Sequence, residues 1–471
     1  MSSLSIPNLT SEGRTTIRLA VPLIIGQLGQ MLISLSDTLM LGWLGVTPLA
    51  ACSFANTILY LPMMFGIGMS MAVSIRVSQA RGAGDPAAAR AALRHGLFIT
   101  FALGLLTVAA AAGLLPFLGL FRQDPRVIEA VPDYFLIISA SMIPAMATMA
   151  VKNHADAMNR PWPVFWISIG GVALNVALNW ILIFGKAGAP AMGLEGAGVA
   201  TLAARGATLV GMIWWCRADV AMREWVPRRW FRVPEWSGIR DLLRTGFPAS
   251  MQLLAEVSAF VMATFIIGSM GQAALASHQV AIQCAATIFM VPLGISMALT
   301  VRIGECFGAK RFSAMRPILV SGWAMGTVFT MFSASAFVIF NRTIAGWFID
   351  DPAVLEVAAG LLVVAAVFQF CDALQIIAGG ALRGLDDVRV PAWIAFGAYW
   401  VVSIPLGALL AYPLGLGVSG MWWGITVGLS ITALLLGRRI WRKTAEPGSD
   451  LPPTPCTRES ASPATSALHP S

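Results

Sequence analysis

Three acidic residues lie inside stretches that are otherwise almost wholly apolar: Asp37, Glu256 and Asp372. An ionisable group at mid-membrane is costly and normally faces a cavity or a partner. A carboxylate so placed can hold a proton, a metal cation or a cationic organic molecule. The competing reading is a helix–helix hydrogen bond that only fixes packing. Glu256 and Asp372 together weigh against it, because no basic residue lies at similar depth nearby in the sequence. Asp37 falls nearer the outer end of its stretch, where an interfacial charge is the simpler reading. Asn175 and Asn179 are four apart and share one helix face. They can solvate a cation beside Asp37 or hydrogen-bond between helices.

Other chemistry is poorly supported. The six cysteines form no CxxC spacing, so neither a zinc site nor a redox pair is indicated. Gly415-Leu-Gly417-Val-Ser-Gly420 has the dinucleotide-binding spacing, but it opens an apolar helix rather than a strand–helix unit, so close helix packing is the better reading. His278 and Gln279 read as structural. Asp386-Asp387 reads as a solvated turn paired with Arg383 and Arg389. No GxSxG, HExxH or P-loop occurs.

The elements that must position these residues are membrane helices. Apolar residues make up 57% of the 471 and charged residues 11%, against roughly 25% charged in a soluble domain. Stretches long enough to span a bilayer, ~20 apolar residues, recur from Ile17 to Trp441. Twelve helices are expected near 15–42, 47–78, 88–115, 127–152, 162–184, 195–216, 240–268, 273–304, 314–341, 353–381, 390–412 and 417–440. The first is too long for a signal-peptide core and is read as retained. Short linkers make neighbouring helices antiparallel.

Of the 31 Lys and Arg, 26 then fall on the side of the N-terminus, four on the other, and Arg205 lies within helix 6. The positive-inside rule puts both termini in the cytoplasm. This asymmetry also accounts for the net +8 without a nucleic-acid partner. The chain repeats itself: residues 18–83, shifted by 226, match 244–309 at 17 of 66 positions without a gap. Arg18, Pro22, Gly42, Gly68, Arg76 and Gly82 recur as Arg244, Pro248, Gly268, Gly294, Arg302 and Gly308. An even number of helices separates the copies, so the repeat is parallel, about an axis along the membrane normal. The expected fold is all-α and integral to the membrane: a segment 1–13, an N-lobe 14–216, a linker 217–239, a C-lobe 240–443 and a disordered tail 444–471. Glu256 pairs with Gln30 under the shift, and Asp37 with Ala263. Acids kept only for a shared scaffold should occur in both halves, so specific roles are favoured.

These features together resemble the multidrug and toxic compound extrusion (MATE) family over residues 12–443. The resemblance rests on Leu19-Ala-Val-Pro22 through Gly42, on Ala276-Ser-His278-Gln279-Val, on Pro292-Leu-Gly-Ile with Val301-Arg302-Ile-Gly304, and on Phe370-Cys-Asp372 through Gly384. It implies a two-lobed, V-shaped, twelve-helix antiporter that expels cationic amphipathic drugs against sodium ions or protons, with no cofactor. Acids matching Glu256 and Asp372 mark the NorM-like branch and are implicated there in C-lobe cation binding; they would be the sodium ligands if sodium drives export, and would attract the substrate. Asp37, Asn175, Asn179 and Thr201 match an N-lobe polar cluster, and Pro22 matches a proline associated with helix bending. Relatives often carry a tyrosine four residues before the helix-10 acid, where this chain has Phe368, which puts a sodium site of the usual composition in doubt. The protein is expected in the bacterial inner membrane as a monomer, and not to be an enzyme. Two rival readings are a lipid-linked saccharide or lipid flippase of the same superfamily, which tends to have a basic cavity, and a prenyltransferase-type membrane enzyme, for which Asp386-Asp387 lacks a second acidic motif.

Overall fold

A computed structural model describes residues 6–121, 123–230 and 235–445, the side chains of 6–10 and 29–38 excepted. Twelve long helical rods run antiparallel through it. They are α1 (Ile6–Gly42), α2 (Val46–Ala83), α3 (Pro86–Phe121), α4 (Pro125–Ala157), α5 (Pro161–Phe184), α6 (Gly193–Ala218), α7 (Trp236–Gly268), α8 (Gln272–Gly308), α9 (Phe312–Ile339), α10 (Pro352–Gly384), α11 (Arg389–Ala411) and α12 (Gly417–Lys443). Eleven of them, α2 to α12, are long and apolar enough to cross a membrane among the residues described. With α1 the count is the expected twelve, and no strand occurs among the described residues.

Local signals explain the boundaries. Asp-Pro pairs open α3, α4 and α10. Asp85 accepts hydrogen bonds from the backbone amides of Ala87 at 2.9 Å and Ala88 at 3.0 Å, and Asp124 and Asp351 cap in the same way. The proline that follows loses nothing, since its missing N–H would have had no partner in the first turn. α4 breaks at Ser141, and α11 widens into a π-helical turn over Gly397–Ser403. The first helix starts at Ile6, well before residue 15. Its polar opening turn has no apolar period to reveal it, but Glu12 is anchored by Arg302 of α8, which also bonds Thr16.

The halves, α1–α6 and α7–α12, form two lobes that meet as the repeat dictates. Gly82 lies against the Glu305 carbonyl, where an added Cβ would come within 2.0 Å, and Gly308 lies against the Gln79 carbonyl at 1.9 Å. Gly308 is the repeat of Gly82, and Glu305 the repeat of Gln79. Higher up, Gly68 packs on Ser250 and its repeat Gly294 on Ile24, again a matched pair. Contacts exchanged in this way are what a pseudo-two-fold axis between α2 and α8 produces. The ion pairs follow it loosely. Arg76 binds Asp241 at 2.8 Å and Asp386 at 2.9 Å, and its repeat Arg302 binds Glu12. Arg81 reaches Glu305 at 3.4 Å, and Gln79 donates to the Gly384 carbonyl at 3.0 Å. Among the described residues, every cross-lobe hydrogen bond and ion pair lies between mid-helix and the face carrying the Arg-rich loops.

That face corrects one expectation. Asp386-Asp387 is charge-paired, but neither with Arg383 and Arg389 nor as a solvated turn. Asp386 is taken by Arg76 of the other lobe and by the Thr245 hydroxyl at 2.7 Å, and Asp387 by Arg439 at 2.6 Å and Lys443 at 3.1 Å. The physical reason is that α10 runs on to Gly384, so Arg383 belongs to the helix and points inward.

Candidate functional site

Between the lobes lies a cavity of about 940 Å³. It reaches from Arg383, Thr300 and Val301 near the basic face to Cys52 and Thr264 near the opposite one, and both lobes line it.

Its C-lobe wall carries Glu256 of α7 and Asp372 of α10. Asp372 is 7% exposed. On α10, Phe368, Asp372, Gln375, Gly379 and Arg383 are spaced by three or four residues and therefore share a face. Gln375 stands behind the cavity wall. Its side-chain amide donates to Glu256 Oε1 at 3.3 Å and to the Tyr399 hydroxyl at 3.2 Å. Tyr399 is fully buried and also interacts directly with Glu256. It is presented by the π-helical turn of α11, which the neighbouring Trp400 ties to α7 by donating to the Ala255 carbonyl at 3.2 Å. Asp372 in turn interacts with Gln375 and with Glu256. The two acids thus come together with a supporting amide and phenol. Carboxylates and hydroxyls are hard oxygen donors, chemically suited to a proton or an alkali cation.

Phe368 lies edge-to-face on Trp422 at 5.4 Å and on Phe260 at 6.1 Å, and makes an apolar rim on the side of Asp372 away from the basic face. A hydroxyl missing at position 368 therefore has a counterpart from another helix, Tyr399. No motif points to it from sequence alone. The available signal was rarity, since the chain has only four tyrosines.

The N-lobe wall gathers Asn175, Asn179 and Thr201. Asn175 donates to the Thr201 hydroxyl at 3.3 Å, and Asn179 to Asn175 Oδ1 at 3.2 Å. Both asparagines are buried and line the cavity. The Asp37 side chain lies outside the described residues, so its relation to this cluster is not described. Pro22 borders a small cleft of about 20 Å³ shared with Lys152, Asp156 and Ser168.

Basic groups also reach the cavity, contrary to the expectation that Arg205 is the sole deep cation. Lys152 and Arg383 line it too. Lys152 is paired with Asp156 at 2.8 Å, four residues on along α4, and Arg205 donates to Ser141 at 2.7 Å, at the break of α4. Loop counting assigned Lys152 and Arg383 to the surface because the last turns of α4 and α10 were cut short. The full helices carry both residues back over the cavity floor.

His278 is structural, as its surroundings suggest: Trp422 donates to Nδ1 at 3.1 Å, so the proton sits on Nε2, facing Thr264 at 3.0 Å. Of the glycines expected to serve close packing, Gly420 does so, with an added Cβ 2.7 Å from Ala411 N, whereas Gly415 and Gly417 meet nothing within 4 Å and instead take the left-handed φ values of 68° and 55° that turn the chain into α12. An added Cβ at Gly424 would lie 2.3 Å from Gly407 Cα.

Comparison with known proteins agrees with this architecture. The family model MatE matches residues 22–181 and again residues 248–409. The two matches start at Pro22 and Pro248, which are repeat-related. A probable multidrug resistance protein NorM of Rhizobium meliloti (strain 1021) is 35% identical over 437 residues, covering 91% of this chain and 93% of its own. One from Pseudomonas aeruginosa is 35% identical over 447 residues, covering 94% and 91%. Among solved structures, a Vibrio cholerae MATE transporter, VcmN, superposes with a TM-score of 0.84 at 22% identity, covering 95% of this chain and 99% of its own. The eukaryotic MATE transporter AtDTX14 gives 0.83 at 18%, covering 93% and 98%.

Proposed function

The chain belongs to the MATE family, and on that premise we propose that it is a multidrug efflux antiporter of the NorM type, exporting cationic amphipathic molecules in exchange for sodium ions or protons. The observation that carries this reading is the pair Glu256 and Asp372 on the wall of a cavity shared by both lobes. Two carboxylates in a partly desolvated space attract positive charge strongly, and the rest of the lining is largely aliphatic, aromatic and Met-rich. Such surfaces adapt to many lipophilic shapes.

The cycle follows from competition. A cationic drug and a driving cation seek the same negative charge, so either one weakens the other. Asn175, Asn179, Thr201 and Asp37 serve as a second polar locus in the N-lobe, and neutralising Asp37 acts at a distance by bending α1 near Pro22. The basic face is cytoplasmic, both termini included, in a bacterial inner membrane. With the lobes joined at that face, the arrangement corresponds to an outward-facing state, and rigid rocking about the α2–α8 contact gives access to the other side. The protein works as a monomer.

The decisive experiment is drug accumulation in an efflux-deficient bacterial host, with sodium and pH varied independently. Glu256→Gln and Asp372→Asn should each abolish most of the coupled export while expression stays normal, since the amides keep the shape. Full export by either variant would return that residue to a packing role. Accumulation unaffected by the wild-type protein, with uptake of anionic lipid-linked precursors instead, would favour the flippase reading.

A further inference from the structure

We propose that the outer faces of α1 and α7 are a matched pair of docking surfaces for anionic phospholipids, one per lobe, each holding a lipid phosphate with two arginines one turn apart: Arg14 with Arg18, and Arg240 with Arg244. Neither pair lines the cavity that holds Glu256 and Asp372.

All four arginines are exposed, and the 226 shift relates Arg14 to Arg240 as it relates Arg18 to Arg244. The pair therefore recurs in two halves that share only 17 of 66 residues over the adjoining stretch. Among the described residues none of the four forms an ion pair or a side-chain hydrogen bond. The acid nearest to each pair in sequence is committed across the lobes. Glu12 holds Arg302 of α8, and Asp241, which also feels Arg244, holds Arg76 of α2 at 2.8 Å. Thr16 and Thr245 join the same two contacts. Each helix thus gives a carboxylate and a hydroxyl to the other lobe and leaves its arginines outside. The face that carries them continues apolar. Arg14, Arg18, Val21 and Ile25 share one side of α1, and Arg240, Arg244 and Phe247 the matching side of α7. Val21, Ile25 and Phe247 are exposed, as acyl-facing side chains are. Depth agrees. From Arg18 to the end of α1 at Gly42, and from Arg244 to the end of α7 at Gly268, the chain runs the same 24 residues, or about 36 Å of helix. A hydrocarbon core of about 30 Å ends a turn short of these arginines, so both pairs stand in the headgroup layer. The guanidinium fork matches two phosphate oxygens, and the i, i+4 spacing sets two forks about 6 Å apart along the helix. Two uncompensated positive charges favour a headgroup with net negative charge over a zwitterion, whose own amine competes for the phosphate.

The test is native mass spectrometry of the purified full-length protein titrated with phosphatidylglycerol or with phosphatidylcholine of the same acyl chains. The wild type should retain two phosphatidylglycerol molecules tightly and show no such pair with phosphatidylcholine. Arg14→Gln with Arg18→Gln should lose one of the two, Arg240→Gln with Arg244→Gln the other, and the fourfold variant both. An arginine near the membrane surface is worth about fivefold in affinity for an anionic lipid, so each double variant should weaken its site by roughly 25-fold. The single variants Arg18→Gln and Arg244→Gln, each weakening one site about fivefold, carry the comparison if a double variant does not fold. Arg438→Gln with Arg442→Gln removes the same charge from exposed positions on α12 that are not duplicated, and should leave both lipids bound. Equal loss in that control would mean a diffuse surface field and overturn the proposal. So would wild-type binding of the two lipids with affinities within twofold of each other. Displacement of phosphatidylglycerol by inorganic phosphate would make these sites for a soluble anion and overturn the assignment to lipid.

Discussion

At the scale of the residue, the proposed cation site is a carboxylate pair with Gln375 donating to Glu256. Tyr399→Phe removes the hydroxyl that accepts from Gln375 and interacts with Glu256. A net hydrogen bond contributes about 0.5–1.5 kcal/mol, so the variant should bind the driving cation roughly 2–10-fold more weakly at normal expression. Cation titration of dye displacement on purified protein measures this, and an unchanged midpoint would make Tyr399 a packing residue. Glu256 and Asp372 were legible in the sequence because a charge in an apolar helix has few benign explanations. Tyr399 and Gln375 were not, because an uncharged polar residue in a membrane helix is common and its partner is set by tertiary packing. Arg383 was misplaced for a different reason. Hydropathy falls at a helix end whether the chain leaves the membrane or merely turns a polar face to a cavity.

At the scale of the element, α11 and α12 decide whether Tyr399 reaches the acids. The π-helical turn over Gly397–Ser403 shifts the register of α11, and such turns gather at functional sites. Deleting one residue from this turn should restore α-helix and rotate Tyr399 by about 100° relative to the C-terminal part of α11. Export should then fall to the level of Glu256→Gln, whereas retained export would detach the turn from function. α12 supports this segment through close backbone contact, so Gly424→Leu should force α11 and α12 apart. Overpacking here should cost about 3 kcal/mol or more, read as a fall in thermal stability and in folded yield. Helix existence and order followed readily from apolar length and short linkers. The π-helical turn and the break at Ser141 leave no comparable mark, since both depend on what packs beside them.

At the scale of the whole molecule, the proposed exchange requires that the two lobes part at the basic face. The ion pairs there are partly buried, with Arg76 14% and Asp386 17% exposed. Pairs of this kind are modest individually, and several acting together bias the state by an amount that ligand binding can reverse. Joining Arg81→Cys to Glu305→Cys with a short thiol crosslinker should abolish export and leave folding intact, because these side chains meet across the lobes at 3.4 Å. Undiminished export by fully crosslinked protein would refute rocking. Drug and driving cation should also compete, with a coupling of about 1–3 kcal/mol, or roughly 5–150-fold in affinity. Dye binding that is flat across both sodium and pH titrations would overturn antiport through shared charge. The repeat was readable in the sequence as a shift of identities. Which surfaces the two copies press together was not, since that lies in the pairing of Gly82 with Glu305 and of Gly308 with Gln79.

That exchanged glycine contact has an ancestral implication. A surface on which each copy offers the glycine and also receives the other's glycine is self-complementary, the signature of an isologous dimer. A half-length chain bearing only one copy would already carry everything needed to bind itself. The covalent joint between the halves is then a convenience of stoichiometry rather than a requirement of assembly. Two polypeptides cut between Ala218 and Trp236 and made in one cell should find each other and export drug.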